Sequence, residues 1–469
     1  MDQLGNRLIE LGIISAEQLE QALSRQRTHG GRLGTNLIAL GFIRDEELSH
    51  VFRKTPAAPR TIEDTGLEYI QVEDLLLKHA MFLGEFKLSD ISERIKLPML
   101  VVEDVLNNLK KERLVEVKGA DSYTSISYQY QITEAGRNKC MKLLELSRYV
   151  GPAPVTLDSY NEMVELQTVK SIIVTETQIR KAFSHLVLED DKLQRLGPAV
   201  SSGQALFIYG PPGNGKTAIA EAIGNVLTDA IYLPYAICVA DQIINIYDPV
   251  SHIRVEETSA SGDASDHRWL LVKRPVVMTG GELTLRMLDL DFNPIVKFYE
   301  APLQMKANNG LLIIDDFGRQ QVEPQSILNR WIVPLDRRID FLTLNTGIKF
   351  NIPFDLLLIF ATNLAPEDLV DEAFLRRIHY KIKISHPTEY EFKSIFKAVC
   401  AHADVPFTEE AYEFLMAHLY RARNLPLSAC HPRDLIEHVV NYSRYFSRPP
   451  ELNEKTICFA CDNYFVTGG

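Results

Sequence analysis

The sequence predicts a multidomain α/β protein, and three observations predict it. An apolar strand, Ala205–Tyr209, runs directly into Gly210-Pro211-Pro212-Gly213-Asn214-Gly215-Lys216-Thr217 and then into the helix-prone stretch Ala218–Ile223. Two further apolar runs, Leu311–Ile314 and Asp355–Phe360, lead into polar residues, Asp315-Asp316 and Ala361-Thr362-Asn363. The chain has 469 residues, enough for about three or four domains at roughly 100–200 residues each.

Composition narrows the class. Hydrophobic residues make up 46% and charged residues 24%, the mix of a soluble globular chain, which excludes a disordered or collagen-like one. The net charge of −12 argues against coating nucleic acid or anionic lipid. No window approaches the length of apolar run that spans a bilayer, so no transmembrane segment is expected. Met1–Asn6 lacks a basic segment followed by an apolar run, so no signal peptide is expected. Six cysteines are too few for a disulfide scaffold, and a cytoplasmic location follows as the expectation. Cys458 and Cys461 form a CxxC without two further ligands at zinc spacing, and read as ordinary thiols on a terminal helix.

Residues 1–55 contain a repeat. Leu4-Gly5, Leu8-Ile9, Leu11-Gly12, Ile14, Glu17 and Leu19 recur 29 residues later as Leu33-Gly34, Leu37-Ile38, Leu40-Gly41, Ile43, Glu46 and Leu48. Each unit predicts a short helix ended by a glycine, then an acid-led second helix. Ser15 and Arg44-Asp45 suit the starts of those second helices. This repeat resembles the N-terminal module of type II secretion and type IV pilus assembly ATPases, some versions of which bind cyclic di-GMP. In those versions each half opens with Arg-Leu-Gly and closes with Gln. Here the first half has Gln3-Leu4-Gly5 and Gln26, and the second has Arg32-Leu33-Gly34 and Thr55. Each half keeps one of the two polar contacts, so a plain docking module is favoured over a cyclic di-GMP site.

Residues 53–60 form a linker by composition. In 62–150, Glu73–Phe82 and Ser89–Ile95 have helical periodicity, with Ser89 as the expected N-cap, and Pro98 opens a third helix. Leu114–Lys118 and Ser127–Ile132 alternate as a hairpin, and Thr133 opens another helix. This order resembles a winged-helix domain. Its charge argues against DNA: residues 72–148 hold 12 Lys+Arg and 12 Asp+Glu, whereas a duplex-binding face needs unopposed cations. A protein-contact role is the expected one.

After a second linker, Tyr149–Pro154, comes the chemistry. Residues 210–217 fit GxxxxGK[ST] between a strand and a helix. Glycines let backbone N–H groups curl round phosphates at a helix N-terminus. Lys216 reaches the β- and γ-phosphates, and the Thr217 hydroxyl ligates Mg²⁺. ATP with Mg²⁺ is therefore the expected cofactor. Asp315 is delivered at the carboxyl end of a strand, where open α/β sheets bind ligands, and is the expected Mg²⁺ partner. Asp316 follows as the residue that orients or deprotonates the attacking water, and Asn363 places an amide beside the γ-phosphate.

From about residue 160 to 469 the pattern resembles the AAA+ ATPases. That resemblance implies an ATPase core over 158–386 and a helical lid over 387–469. It makes Asn363 the sensor and Arg433, in His431-Pro432-Arg433, the second sensor. Arg376 and Arg377 are both candidates for an arginine finger acting on a neighbouring subunit, which implies a homo-oligomer, in all expectation a ring. Two departures stand out. Most members have Glu where this chain has Asp316, and the shorter side chain stops up to about 1.5 Å further from the water, which predicts slow turnover or a binding-only switch. Thr217 and Asp315 stand 98 residues apart, which implies an insertion, with the polar stretch Glu256–Asp266 as a mobile loop inside it. Ile339–Leu344 and Ile348–Ile352 flank a glycine turn and resemble the pre-sensor hairpin of one AAA+ branch.

Three readings follow. The first is an oligomeric motor acting on a protein client, with secretion or pilus-type machinery suggested by the N-terminal repeat. The second is a nucleotide-gated scaffold or regulator with little hydrolysis. The third is a DNA-associated initiator or loader.

Overall fold

The protein is described by a computed structural model covering residues 8–9, 13–29, 33–43, 55–120, 128–172, 174–256, 265–369 and 372–465. The expectations for Gln3, Gly12, Arg32, Arg44-Asp45 and most of Glu256–Asp266 lie outside the described residues.

Near the N-terminus, helices Ala16–His29 and Leu33–Ala39 pack through Ala22, Leu33, Leu37 and Ile43. Ser15 caps the first as expected, its Oγ accepting the Gln18 N–H at 3.2 Å. Gly41 takes the left-handed φ of 72° expected after the second.

The next unit runs helix Tyr69–Leu83, β1 (Glu85–Lys87), helices Leu88–Ile95 and Met99–Lys111, β2 (Val115–Ala120), β3 (Tyr128–Ile132) and helix Glu134–Leu146. The strands form an antiparallel sheet in the order β1-β3-β2. Thr133 caps the last helix, accepting from the Gly136 N–H at 3.0 Å. Ser89 is not the N-cap. The helix starts one residue earlier, and the Asp90 carboxylate accepts the Lys87 N–H at 2.9 Å. Aspartate at the third helical position satisfies the orphan donor, which leaves Ser89 inside the first turn.

The larger part of the chain is built on two sheets. The first is five-stranded and wholly parallel, in the order β10 (Val276–Thr279), β13 (Leu311–Ile314), β16 (Leu357–Thr362), β5 (Leu206–Tyr209) and β17 (Tyr380–Lys383). Its three central strands, β13, β16 and β5, are largely apolar runs because both faces are covered. Leu206, Ile208, Ile313 and Ile359 point to one core with Ile219 and Ile223. Phe207, Leu312, Ile314 and Phe360 point to the other with Trp331.

The second sheet is mixed, in the order β11 (Asp291–Asn293), β12 (Phe298–Glu300), β8 (Gln242–Asn245), β7 (Ala236–Val239) and β4 (Val155–Thr156). Beside it lie the pair β6 (Ala230–Pro234) with β9 (Trp269–Lys273) and the hairpin β14 (Ile339–Thr343) with β15 (Lys349–Pro353). The described residues of the inserted stretch thus form a β layer with its own core, where Ile237, Ile244, Trp269 and Tyr299 meet Leu342, Leu344, Phe350 and Ile352 of the hairpin.

Both linkers are docked. Asp266 N–H donates to Pro56 O at 2.9 Å, and Ala57 bridges Ser265. Arg268, buried, pairs with Asp266 at 2.8 Å and donates to Thr65 O at 3.0 Å and Pro154 O at 3.1 Å. Asp266, expected at the edge of a mobile loop, is buried because Arg268 holds it. After Pro387 the chain is helical: Glu389–His402, Glu409–Leu415, His431–Tyr445 and Glu454–Tyr464 share one core. Cys458 is exposed and Cys461 buried on the last of these, both as free thiols. No helix among the described residues is long and apolar enough to cross a membrane.

Candidate functional site

The site forms where β5, β13 and β16 end together. The loop from Gly210 to Gly215 links β5 to the helix Lys216–Gly224. Gly210 has φ 142°, and a Cβ there would lie 2.0 Å from Ile384 O, so only glycine lets the loop leave the strand past β17. Lys216 is buried, and its Nζ donates to Gly210 O at 3.0 Å and Pro211 O at 2.9 Å. Burial lowers the ammonium's pKa, while Asp316 and Asp315 pull it back up. The two carboxylates therefore face the lysine closely enough to stabilise its charge.

Thr217, the second residue of that helix, donates its hydroxyl to Asp315 Oδ2 at 2.8 Å. Asp315 is fixed from behind by its N–H to Thr279 O at 2.8 Å, and its other oxygen accepts the Asp316 N–H at 2.9 Å. Asp316 turns the chain with φ 47°, a conformation that a short polar side chain tolerates. Asn363 Nδ2 donates to Asp316 Oδ1 at 3.1 Å. The strand ends are laced together: Phe317 N–H donates to Ala361 O at 2.8 Å, Thr362 Oγ1 to Phe317 O at 2.7 Å, and Gly210 N–H to Thr362 O at 3.3 Å.

Residues 210–217, Asp315, Asp316 and Asn363 are thus brought together. The expected arginines stand apart from this bonded group. Arg376 is exposed and pairs with Glu372 at 3.0 Å, whereas Arg377 is held on both oxygens of Asp336 at 2.9 Å. Arg433 is exposed and, among the described residues, pairs with its neighbour Asp434 at 3.2 Å. It nevertheless lies on the helix whose start touches the loop, since Cys430 N–H donates to Gly213 O at 2.8 Å.

Sequence reasoning missed several contributors. Gln320 Nε2 donates to Asp315 O at 3.0 Å and its Oε1 accepts the Gly318 N–H at 2.8 Å, bracing the turn that carries both acids. Arg319 stands close enough to oppose the charge of Lys216. His386 Nδ1 lies 2.6 Å from Leu427 O. A cation five residues past the strand that leads into the acids was a readable signal for Arg319. Gln320 and His386 act on backbone carbonyls and leave none.

An oxygen-rich pair, Thr217 with Asp315, beside a glycine loop with a buried lysine suits a hard cation shared with phosphate oxygens. Mg²⁺ and a nucleotide phosphate fit the residues present.

Residues 388–463 match a protein family described as a domain of unknown function, DUF8689. No curated protein matches the chain. Among solved structures it is similar to the RuvB Holliday junction branch migration motor of Thermotoga maritima. That match has 16% identity and a TM-score of 0.32, covering 62% of this chain and 70% of that one. It is also similar to NtrX from Brucella abortus, with 12% identity and a TM-score of 0.34, covering 68% of this chain and 60% of that one.

Proposed function

We propose that this chain is an AAA+ ATPase that binds ATP with Mg²⁺ at Gly210–Thr217 and hydrolyses it as an oligomer to remodel or regulate a protein partner. The observation that carries this reading is the convergence of two bonded pairs, Thr217 with Asp315 and Asp316 with Asn363, at the carboxyl end of one parallel sheet. A chance glycine turn would not gather a hydroxyl, two acids and an amide from three strand ends.

Each residue then has a task. The N–H groups of Gly213–Thr217 cradle the phosphates, and Lys216 exchanges the carbonyls of Gly210 and Pro211 for phosphate oxygens. Thr217 and Asp315 hold Mg²⁺, which neutralises charge on the β- and γ-phosphates when bound. Asp316 accepts the proton of a water as it adds to the γ-phosphorus and the bond to the ADP oxygen breaks. Asn363 holds that carboxylate and the water in register. Arg376, exposed and paired with Glu372 four residues before it, suits action on a neighbour's phosphate, while Arg377 is engaged by Asp336. The helices after Pro387 act as a lid carrying Arg433.

Steady-state hydrolysis across a protein-concentration series, with Lys216→Ala as the blank, tests this. Turnover per subunit rises with concentration and vanishes in the blank. Absence of ATP binding would sink the reading.

A second reading, a nucleotide-gated regulator with little hydrolysis, is favoured by the short acid at 316 and its engagement by Asn363. A DNA-loading role is disfavoured. In the winged-helix-like unit, Pro98 and Met99 at the start of the third helix line a cleft shared with Ala58, Ser265 and His267, so the chain's own segments flank the end that would read a duplex. The N-terminal repeat supports a client in secretion or pilus-type machinery by resemblance alone. Calorimetric titration with cyclic di-GMP tests its ligand arm, and no heat at high micromolar ligand would leave a docking module.

A further inference from the structure

The glycine loop is tied to the C-terminal helices through Gly213 and the side chain of Asn214. Asn214 is 6% exposed. Its Oδ1 accepts the Ala429 N–H at 3.1 Å, while Nδ2 donates to Pro211 O at 3.3 Å and lies 3.4 Å from His386 Nδ1. The next N–H along, that of Cys430, goes to Gly213 O. The Cys430 sulfur also packs on Gly213, where a Cβ would lie 2.7 Å from it.

These contacts solve a local problem. The helix His431–Tyr445 starts at Cys430 without any side-chain cap of its own. A Glu or Gln at its third position would return to the Cys430 N–H, but Arg433 stands there and has no acceptor to offer. The glycine loop supplies the missing acceptors, Gly213 O for Cys430 and Asn214 Oδ1 for Ala429. The start of that helix is therefore completed by the same loop whose other side faces the phosphate.

We propose that Asn214 is a positioning residue that transmits the state of the phosphate loop to the turn Leu427–Cys430 and so to the helix bearing Arg433. The proposal rests on reading Gly210–Thr217 as the nucleotide site. Drawing the loop's amides onto phosphate shifts Gly213 O and the Asn214 amide together. Both end on consecutive N–H groups of one turn, so the turn follows.

Hydrogen exchange on the full chain, with and without Mg²⁺-ADP, tests this at the Ala429 and Cys430 amides, with calorimetry reporting ADP binding. In the wild type, saturating ADP changes exchange there by about tenfold or more. Asn214→Ala, compared at the ADP concentration that saturates it by its own calorimetric Kd, loses that change, while Asn214→Asp, which keeps the Oδ1 acceptor, retains it. Ala429→Pro, which has no amide of its own and is read at the Cys430 amide, removes the other partner without changing a loop residue and loses the response in the same way, which covers failure of the first variant to fold. ADP binding with an unaltered response in both Asn214→Ala and Ala429→Pro overturns this proposal alone. No ADP binding by the wild type overturns the nucleotide-site reading and this proposal with it.

Discussion

Asn363 reaches across 3.1 Å to donate its side-chain amide to Asp316, joining the end of β16 to the turn that follows β13. The acid it holds sits in a left-handed backbone conformation, φ 47°. Short polar residues accept that region, and longer side chains adopt it at a cost of about 1–2 kcal/mol. The unusual acid and the unusual backbone therefore belong together.

Asp316→Glu is expected to lower stability by about 1 kcal/mol in urea denaturation without raising turnover, because the longer carboxylate leaves the Asn363 amide. Asp316→Asn keeps ATP binding and loses turnover by about 10²-fold or more. A faster Asp316→Glu enzyme would contradict the pairing.

Lys216→Ala removes the buried ammonium that faces both acids. Wild-type protein at a nucleotide concentration of about 100 Kd gains roughly 2.7 kcal/mol of apparent stability. The variant gains none, read as a melting temperature indifferent to Mg²⁺-ATP.

The two adjacent arginines separate by what they touch. Arg376→Ala leaves the melting temperature unchanged and lowers turnover by about 10³-fold, with activity restored in part by mixing it with Asp316→Asn subunits that retain the arginine. Arg377→Ala breaks the half-exposed pair with Asp336 and costs up to about 1 kcal/mol of stability, with a far smaller loss of turnover.

Arg268→Met strands Asp266 in a buried position and deprives Thr65 O and Pro154 O of their donor. A loss of about 3–5 kcal/mol is expected. Limited proteolysis should cut faster at 53–60 and 149–154, and an unchanged pattern would show that the cluster does not hold these segments.

Two buried histidines set a pH response. His79 meets Gly151 O at 2.9 Å, and His252 accepts the Asp248 N–H while donating to Lys306 O, both at 2.9 Å. Burial lowers both pKa values, so below about 6.5 the unfolded chain binds protons first. Stability is full above that pH and drains as pH falls from it toward the folded-state values. The urea midpoint should fall between pH 7.5 and 5.5, and less steeply in His252→Gln.

What could be read directly from the sequence was what local sequence encodes. The strand, glycine loop and helix around Lys216 are contiguous, and Asp315, Asp316 and Asn363 follow apolar runs whose period and length mark buried strands. Ser15 and Thr133 cap helices through residues three positions on, well inside the range of local reasoning. Ser89 failed because Asp90, at the third helical position, takes the Lys87 N–H and the helix starts at Leu88. Asn214 meets Ala429 and Arg268 meets Thr65 across long stretches of chain, through backbone atoms that every residue carries, so no residue type announced them. The inserted β layer was foreseen only as extra length, since its strands are short and its core is completed by Leu342 and Phe350 from far downstream.

The second helical unit and the inserted sheet share apolar packing: Ala236 lies in the unit's core, and Cys238, Ile243 and Phe298 pack against it. Gln71 meets Asp241 at 2.6 Å, Arg148 N–H meets Val296 O at 2.9 Å, and Arg268 closes the far side. Seated over that area, the unit is tied to the inserted sheet by packing and hydrogen bonds as well as by its linkers. Any tilt of the inserted sheet carries it along as a rigid arm, and a small rotation near the sheet becomes a larger sweep at the unit's outer helices.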